Sequence, residues 1–527
     1  MNLTRALGTV GGLTLVSRVL GLVRDSLFAR FVGAGFASDA FLVAFRLPNM
    51  FRALFAEGAF SSAFIPMFNQ KVGEKDGPGL PAGIAFAEQA LAVLLPVLLV
   101  MTVLLEVFAW PVTFALSGKF NGVTPDQFAF AVELARFQIP YLLFISLVSL
   151  LGGILNSLHK FWVNAAAPIL LNVCLIVALL GFHSADPLIT ARNQAIGVSV
   201  AGALQLIWLI VACRAAGVSL KLRRPRLDPD IKRLLSLIWP AAAGAGAVQI
   251  NLVVSTALAA SLLSAGSVTY IYMADRLSQL PLGLIGIGLG TVLLPMISRQ
   301  LAAGEEAAAL ETQSRGLELA LLLTLPATMA LVLCGEPIAA ALFGYGKFDA
   351  QDVHYTAQAL AAFSIGLPSY ILVKVLTPGY YARHDTRTPV KYATISMVVN
   401  LVLNLALIVP LAHVGPPLAT AIASTVNVAM LYRTLIKRGH FAPDARLKRR
   451  AWRLALAALL MGAVLWALQG LLTPYTHGTW TVRFAALSVL VGGGAAVYFA
   501  ATLLFGAFTR DDLRFLRRKR AAPTESD

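Results

Sequence analysis

Eight lysine and arginine side chains of this 527-residue sequence lie inside long apolar segments. A cation near the centre of a bilayer costs from about 2.5 to more than 10 kcal/mol, so such a side chain must face water, a charged partner or a ligand. Guanidinium groups grip phosphate oxygens through two parallel hydrogen bonds, which suits them to an anionic, phosphorylated ligand. The eight cations are Arg18, Arg24, Arg30, Arg46, Arg52, Arg136, Arg276 and Lys374.

Eight carboxylates occupy the same apolar segments, so internal ion pairing is an open alternative to ligand binding. Six of the eight cations lie in the first four segments, and a purely structural set of ion pairs would not require that imbalance. At 100° per residue, Arg18 and Asp25 fall within about 20° of one another and are predicted partners. Arg18 and Arg24 lie about 120° apart on the same helix, so we expect them to have different roles.

The apolar segments themselves predict an all-α, polytopic membrane protein. Hydrophobic residues make up 58% of the chain, charged residues only 13%, and mean hydropathy is +0.76. A membrane-spanning helix needs roughly 20 mostly apolar residues, and about fourteen such segments can be placed. They lie near 5–33, 38–70, 82–117, 125–157, 161–183, 191–214, 233–261, 266–299, 314–335, 352–382, 388–412, 416–436, 451–473 and 480–508.

The remaining basic residues predict the orientation of these helices. Of the remaining 34 lysines and arginines, which lie near the ends of the segments or between them, four fall on one set of alternating loops and 30 lie on the side of the two termini. This asymmetry predicts cytoplasmic termini and an even number of spans. The basic loops are therefore interpreted as topology determinants, with anionic membrane lipids as secondary partners, and nucleic acid is not an expected partner.

A weak internal repeat divides the chain. Arg46 precedes Pro66 by 20 residues in the second segment, and Arg276 precedes Pro295 by 19 in the eighth. Two six-helix halves that enter the membrane from the same side are typical of transporters with parallel repeats. We therefore predict two pseudo-symmetric six-helix lobes, 1–220 (helices 1–6) and 221–440 (helices 7–12), followed by helices 13 and 14 in 441–510 and a basic cytoplasmic tail in 511–527.

Enzymatic and metal chemistry have little support in the sequence. The seven histidines are scattered over loops and helix ends, and neither HExxH nor GxSxG occurs. The three cysteines have no paired spacing. The chain is predicted not to be an enzyme, and no metal site or cofactor is expected.

Four stretches of the sequence together resemble one known family. They are "SRVLGLVRDSLFARFVGAG", "SDAFLVAFRLPNMFRALFAEGAFSSAFIPMF", "YMADRLSQLPLGLIGIGLGTVLLP" and "VKVLTPGYYARHDTRTPVK". The combination, spread from residue 1 to about 510, resembles the MurJ/MviN family of lipid II flippases, part of the multidrug/oligosaccharidyl-lipid/polysaccharide exporter superfamily. The resemblance implies fourteen helices, with a central cavity and a groove at helices 13 and 14 for the lipid tail.

The same resemblance implies a substrate and a mechanism. The substrate would be lipid II, undecaprenyl-pyrophosphoryl-MurNAc-pentapeptide-GlcNAc, moved from the inner to the outer leaflet of the bacterial inner membrane by alternating access, for peptidoglycan synthesis. The cell-wall synthesis machinery is left open as a partner. Matching of motifs implies two groups of functional residues, the first for substrate binding and the second for gating or coupling. The groups are Arg18, Arg24, Arg52, Arg276, Asp25, Asp39, Asn49 and Glu57, and then Lys374, Arg383, His384, Asn400 and Asn404.

The sequence departs from the family in one respect. Some members of the family that this sequence resembles hold sodium with carboxylates between helices 7, 11 and 12. The corresponding segments of this sequence contain no carboxylates, and Asn400, Asn404 and Thr420 are their nearest polar equivalents. Sodium coupling is not expected, whereas coupling to membrane potential or to another monovalent cation such as a proton is left open. Three alternative functions also stay open: an exporter of another polyprenyl-linked saccharide or a drug/ion antiporter of the superfamily, a polyprenyl-phosphate transferase, and a scaffold for cell-wall enzymes.

Overall fold

The computed structural model describes residues 3–55, 59–73, 79–476 and 478–507. These residues form twenty α-helices, one π-helical turn (Leu282–Gly286) and one 3₁₀ turn (Ala412–Val414), with no β-strand among them. The α-helices are α1 (Leu3–Val32), α2 (Phe36–Phe55), α3 (Ala59–Gly73), α4 (Leu80–Val107), α5 (Ala109–Ser117), α6 (Pro125–Gln138), α7 (Pro140–Ser157), α8 (Phe161–Gly181), α9 (Pro187–Ala215), α10 (Pro229–Leu262), α11 (Ser267–Pro281), α12 (Ile287–Ala302), α13 (Glu306–Leu333), α14 (Gly335–Leu342), α15 (Ala350–Ile365), α16 (Leu367–Tyr381), α17 (Arg387–Leu411), α18 (Gly415–Lys437), α19 (Ala445–Thr476) and α20 (Trp480–Leu504).

Each of the fourteen predicted segments contains one or two of these helices, which confirms the all-α prediction. Ten helical runs in the described part of the chain are long and apolar enough to span a membrane, and one of them, 387–437, holds both α17 and α18. In α4 only 17% of the most apolar stretch is buried inside the protein. Because that stretch would otherwise present hydrocarbon to water, lipid must cover it, and the chain is a multi-pass membrane protein.

Proline and short polar side chains fix where several helices begin. Proline suits the first turn because its missing N–H has no helical partner there, and α6, α7, α9 and α10 all start with it. Before α6, the Thr124 and Gln127 side chains and backbones bond reciprocally as a capping box. Asp228 caps α10 by accepting the Ile231 N–H at 2.8 Å. These signals fix the N-terminal ends of the helices.

Packing divides the chain into two compact units. The first extends to Thr269 and includes Tyr345–Asp349, and the second comprises Tyr270–Gly344 and the described chain from Ala350 onward. In the first unit α1 packs on α8, α8 on α9, and α10 on α2, α3 and α5. This division differs from the predicted lobe boundary at 220, because α10 joins the first unit through those contacts. The predicted tail, 511–527, lies outside the described residues.

The second unit holds the last two helices. In it α17 packs on α18, α13 on α16, and α19 on both α13 and α20. Gly316 of α13 permits one close approach, since a Cβ there would lie 2.8 Å from Leu293 Cδ1 of α12. A polar contact adds to the apolar packing of α19, because Arg450 Nη1 donates to Glu318 Oε2 of α13 at 3.1 Å. The helix pair α19–α20 is therefore part of the second unit.

Candidate functional site

Arg24 and Asp25 form a buried charge pair on α1. Arg24 is 8% exposed, and its Nε and Nη2 donate to Asp25 Oδ1 at 3.0 and 2.6 Å. Its Nη1 donates to Asn172 Oδ1 of α8 at 3.2 Å, and Asn172 Nδ2 in turn donates to the Ser17 carbonyl at 2.9 Å. Asn172 therefore fixes the guanidinium of Arg24 relative to the backbone of α1.

The predicted pairing of Arg18 with Asp25 is wrong. Asp25 accepts from the adjacent Arg24, whereas Arg18 is exposed and has no described hydrogen-bond or ion-pair partner. Seven residues of helix separate Arg18 from Asp25 by about 10 Å along the axis, so the neighbouring guanidinium reaches the carboxylate more easily. Arg18 and Arg24 do occupy different environments, one exposed and one buried.

Asp39, near the start of α2, accepts hydrogen bonds from the segment that begins α11. Its Oδ2 accepts the Gly266 N–H at 2.7 Å, and its Oδ1 accepts the N–H and the hydroxyl of Thr269 at 2.9 and 2.6 Å. The neighbouring Ser38 Oγ lies 2.9 Å from Thr269 Oγ1, whose single proton goes to Asp39. A carboxylate at a helix N-terminus is stabilised by the free N–H groups and the helix dipole. Asp39, only 3% exposed, thus caps α11 from another helix.

The other predicted residues of the second segment are partly placed. Arg52 of α2 donates through Nε to Asn49 Oδ1, one turn earlier, at 3.0 Å. Both side chains are half-buried. Asn49 is a neutral acceptor that orients the guanidinium without cancelling its charge. The predicted Glu57 lies outside the described residues.

Arg276 of α11 is oriented by an aromatic neighbour. Its Nε and Nη2 donate to the Tyr272 hydroxyl at 3.0 and 2.8 Å. The guanidinium carbon lies 4.9 Å from the centre of the Tyr272 ring, in cation–π range. The π-helical turn follows α11 directly, and such turns change the direction of side chains relative to the preceding helix.

Lys374 of α16 lines a cavity of about 350 Å³ inside the second unit. Thr377 and Tyr381 of the same helix and Asn427 of α18 also line it. The Asn427 Oδ1 atom is buried and has no described hydrogen-bond partner. The cavity therefore offers one cation and one unpartnered carbonyl oxygen in a mostly apolar wall.

Arg383 and His384 lie in the turn that follows the C-terminus of α16. Arg383 donates to the Gly379 carbonyl at 3.0 Å and to Glu306 at 3.2 Å. His384 has φ +59°, and its N–H and that of Asp385 bond back to the Tyr381 and Tyr380 carbonyls. This left-handed closure is a Schellman-type helix end, in which glycine is the usual residue. The pKa of Asp385 is lowered to about 2, first by hydrogen bonds from Thr388 and then by the hydrogen bond and the positive charge of Arg438. The turn therefore keeps its negative charge at neutral pH.

Asn400 and Asn404 are joined in one buried hydrogen-bond chain. Asn404 Nδ2 donates to Asn400 Oδ1 at 3.3 Å, and Asn400 Nδ2 donates to Thr420 Oγ1 of α18 at 3.1 Å. Thr420 donates onward to the Pro416 carbonyl at 2.9 Å. Among the described residues no group of three or more His, Cys, Asp or Glu could hold a metal ion.

Among the described contacts, three side chains that bind predicted substrate-binding residues were not identified from the sequence. They are Asn172, Thr269 and Tyr272, which contact Arg24, Asp39 and Arg276 respectively. Asn172 is a polar residue within the apolar run "LLNVCLIV", and that is a signal that could have marked it. Thr269 and Tyr272 resemble ordinary helix residues, so their roles follow only from the fold.

The helical spans and the fold define the class of protein. A solved structure titled "Lipid II flippase MurJ, inward closed conformation" has a TM-score of 0.77 at 24% identity, covering 94% of this chain and 98% of that chain. An inward-facing multidrug resistance MATE family transporter of the MOP superfamily has a TM-score of 0.62 at 16% identity, covering 80% of this chain and 94% of that one. The protein is thus a polytopic membrane protein whose fold matches that of these two solved structures.

The sequence itself identifies the family. The family model for "Lipid II flippase MurJ" matches residues 28–490. A relative from Rhizobium tropici, named a probable lipid II flippase MurJ, is 40% identical over 99% of this chain and 98% of its own length. The chain belongs to the MurJ family of lipid II flippases, and the resemblance predicted from its motifs is confirmed.

Proposed function

We propose that this protein moves lipid II from the inner to the outer leaflet of the bacterial inner membrane. The observation that carries the proposal is family membership over 28–490, together with full-length relatives named as lipid II flippases. Lipid II joins a prenyl tail, a pyrophosphate and a hydrophilic saccharide-peptide. Moving it requires a protein that spans the membrane and presents cations within it, and this chain has both features.

In this proposal Arg24, Arg52 and Arg276 bind the pyrophosphate, and the other predicted polar residues assist them. The support is their orientation, because Asn172, Asn49 and Tyr272 each hold one of these guanidinium groups through a neutral oxygen. An oriented guanidinium loses less side-chain entropy when it binds an oxyanion. Alternating access then exposes the same cations to each side in turn.

Orientation and coupling complete the proposal. The 30 basic residues on the side of the termini support cytoplasmic N- and C-termini. The absence of carboxylates from the segments that hold Asn400, Asn404 and Thr420 supports coupling to membrane potential or a proton rather than to sodium. A coupling ion must bind the two conformations unequally, since equal affinity shifts no equilibrium. Lys374, Arg383 and His384 are proposed to act in gating or coupling.

Reconstitution of the purified protein into liposomes tests the function. With fluorescent lipid II, the fraction accessible to an impermeant quencher should equilibrate between leaflets faster than in protein-free liposomes. A fluorescent phosphatidylcholine is the control lipid and should exchange at the protein-free rate. Unchanged lipid II exchange in liposomes with correctly inserted protein would contradict the proposal.

The same samples separate the alternatives. Chemically altered lipid II after incubation would identify a transferase. Faster exchange of another polyprenyl-linked saccharide, with lipid II left at the background rate, would identify a different exporter of the superfamily.

A further inference from the structure

We infer that residues 218–228, which join α9 to α10, form a preformed binding surface for the headgroups of anionic phospholipids in the cytoplasmic leaflet. We call this segment the basic strap; its sequence is "VSLKLRRPRLD". Its assignment to the cytoplasmic leaflet rests on the orientation given in the proposed function. Binding of resident phospholipid is a property separate from the transport of lipid II.

Buried groups of α4 and the strap's own first residue hold its first half in place. Val218 is buried, and its N–H donates to the Cys213 carbonyl at 2.9 Å. The buried Glu88 carboxylate accepts the Lys221 N–H through Oε1 at 2.9 Å and Arg223 Nε through Oε2 at 2.5 Å. One carboxylate of a membrane helix thus binds both the backbone and a side chain of the strap.

A second set of contacts holds the other half. Gln89, beside Glu88 on α4, donates through Nε2 to the Arg226 carbonyl at 2.7 Å. Asp228 ends the strap as the N-cap of α10. The strap has no helix or strand of its own. These contacts therefore order its backbone in place of the regular hydrogen bonds of secondary structure. The entropy of ordering is lost on folding, which leaves less to lose when a ligand binds.

The fixed strap presents several cations. In the described part of the chain, Glu88 forms an ion pair with Arg223 alone. Lys221, Arg224 and Arg226 are exposed and have no described acidic partner. Pro225 separates the last two arginines and restricts the backbone between them. The surface therefore concentrates positive charge in a defined geometry at one end of α4 and α10, which complements a phosphate-bearing membrane surface.

Exposed apolar side chains beside these cations select lipid as the partner. Leu222 and Leu227, within the strap, are 68% and 59% exposed, and Trp239 of α10 is 77% exposed. Tryptophan favours the interface between headgroups and hydrocarbon, and leucines flanked by cations are typical of segments that lie in that interface. A soluble anion or an acidic peptide would make no use of leucines in this position.

Binding of phosphatidylglycerol, measured by native mass spectrometry on the detergent-solubilised full chain, tests the inference. The triple variant K221Q/R224Q/R226Q should bind it between about ten and a hundred times more weakly, since each headgroup cation contributes on the order of a tenfold or smaller factor. The matched control R387Q/K391Q/K437Q removes three exposed cations from α17 and α18 and should bind within about twofold of the parent. Equal losses in the two triple variants, or equal binding of phosphatidylcholine and phosphatidylglycerol by the parent, would overturn it.

Two variants of α4 distinguish binding to an ordered strap from simple charge attraction. Glu88→Ala adds net positive charge but releases the strap, and Gln89→Ala releases the Arg226 carbonyl with no change of charge. If binding requires the strap to be held in place by α4, phosphatidylglycerol binding should weaken in both variants. Charge attraction alone predicts stronger binding for Glu88→Ala and no change for Gln89→Ala. Gln89→Ala keeps the test decisive if Glu88→Ala does not fold.

Soluble competitors check the identity of the occupant. Glycerol phosphate and polyglutamate should leave the bound lipid in place, and displacement by either one would reassign the surface to a soluble anion or an acidic protein. These samples contain no lipid II, so their outcome is independent of the transport assay. Failure of lipid II transport with intact phosphatidylglycerol binding would refute only the proposed function.

Discussion

At the scale of single residues, the buried Arg24 is held by one charged and one neutral partner. Asp25 offsets its charge, and Asn172 sets the direction of its remaining N–H groups. A buried charge that loses a partner keeps its full desolvation cost, so the neutral partner contributes to stability as well as the ion pair. The sequence identifies Arg24 and Asp25 as charges in an apolar helix. It does not identify Asn172, which lies 148 positions away, because that contact depends on how α1 and α8 pack.

The Asn172→Ala variant tests this arrangement. It removes the acceptor of Arg24 and the donor to Ser17, and should lower the free energy of unfolding by about 1.5–3 kcal/mol, as for hydrogen bonds to charged groups. Denaturant unfolding followed by tryptophan fluorescence measures the change. Asn193→Ala is the control, because Asn193 makes an exposed bond to the Phe182 carbonyl. Equal effects of the two variants would contradict a special role for Asn172.

At the scale of elements, the apolar runs of the sequence predict the helices well, because membrane helices must satisfy their own backbone hydrogen bonds. The interruptions are less predictable. Pro140 begins a new helix after α6, whereas Pro168 lies inside the continuous α8. The π-helical turn after Pro281 and the capping of α11 by Asp39 likewise depend on packing. Asp39 stands out in the sequence as a charge, but its contact with Thr269 is 230 positions away.

The Asp39→Asn variant tests the cap on α11. The carboxylate accepts three hydrogen bonds, and an amide would point a donor at one of the N–H groups. We expect hydrogen exchange at Gly266 and Thr269 to become at least about tenfold faster, since losing such a bond costs more than 1.4 kcal/mol.

Asp186→Asn is the matched control for this exchange measurement. Asp186 caps α9 by accepting only the Leu188 N–H, at 2.8 Å. Asparagine caps helices as well as aspartate, so the α9 amides should exchange as in the parent. Unchanged exchange at Gly266 and Thr269 in Asp39→Asn would show that the charge of Asp39 is not what holds the start of α11.

At the scale of the whole molecule, packing divides the described chain into two compact units, and the lobes 1–220 and 221–440 stay a prediction. The compact units meet in the sequence between Thr269 and Tyr270, within α11. A repeat in the sequence identifies duplicated segments, whereas packing determines which unit each helix belongs to. Helix α10 belongs to the first unit because it packs on α2, α3 and α5.

In the proposed function, the intramembrane arginines Arg24, Arg52 and Arg276 bind the headgroup of lipid II during transport. The most direct test is the initial rate of lipid II translocation in liposomes containing Arg24→Ala, Arg276→Ala or the control Arg387→Ala, an exposed residue at the start of α17. Inserted protein is quantified in each sample. Loss of a charge-assisted contact should slow Arg24→Ala and Arg276→Ala by at least about tenfold, with Arg387→Ala at the parent rate. Parent rates in both Arg24→Ala and Arg276→Ala would show that these arginines do not bind the headgroup during transport.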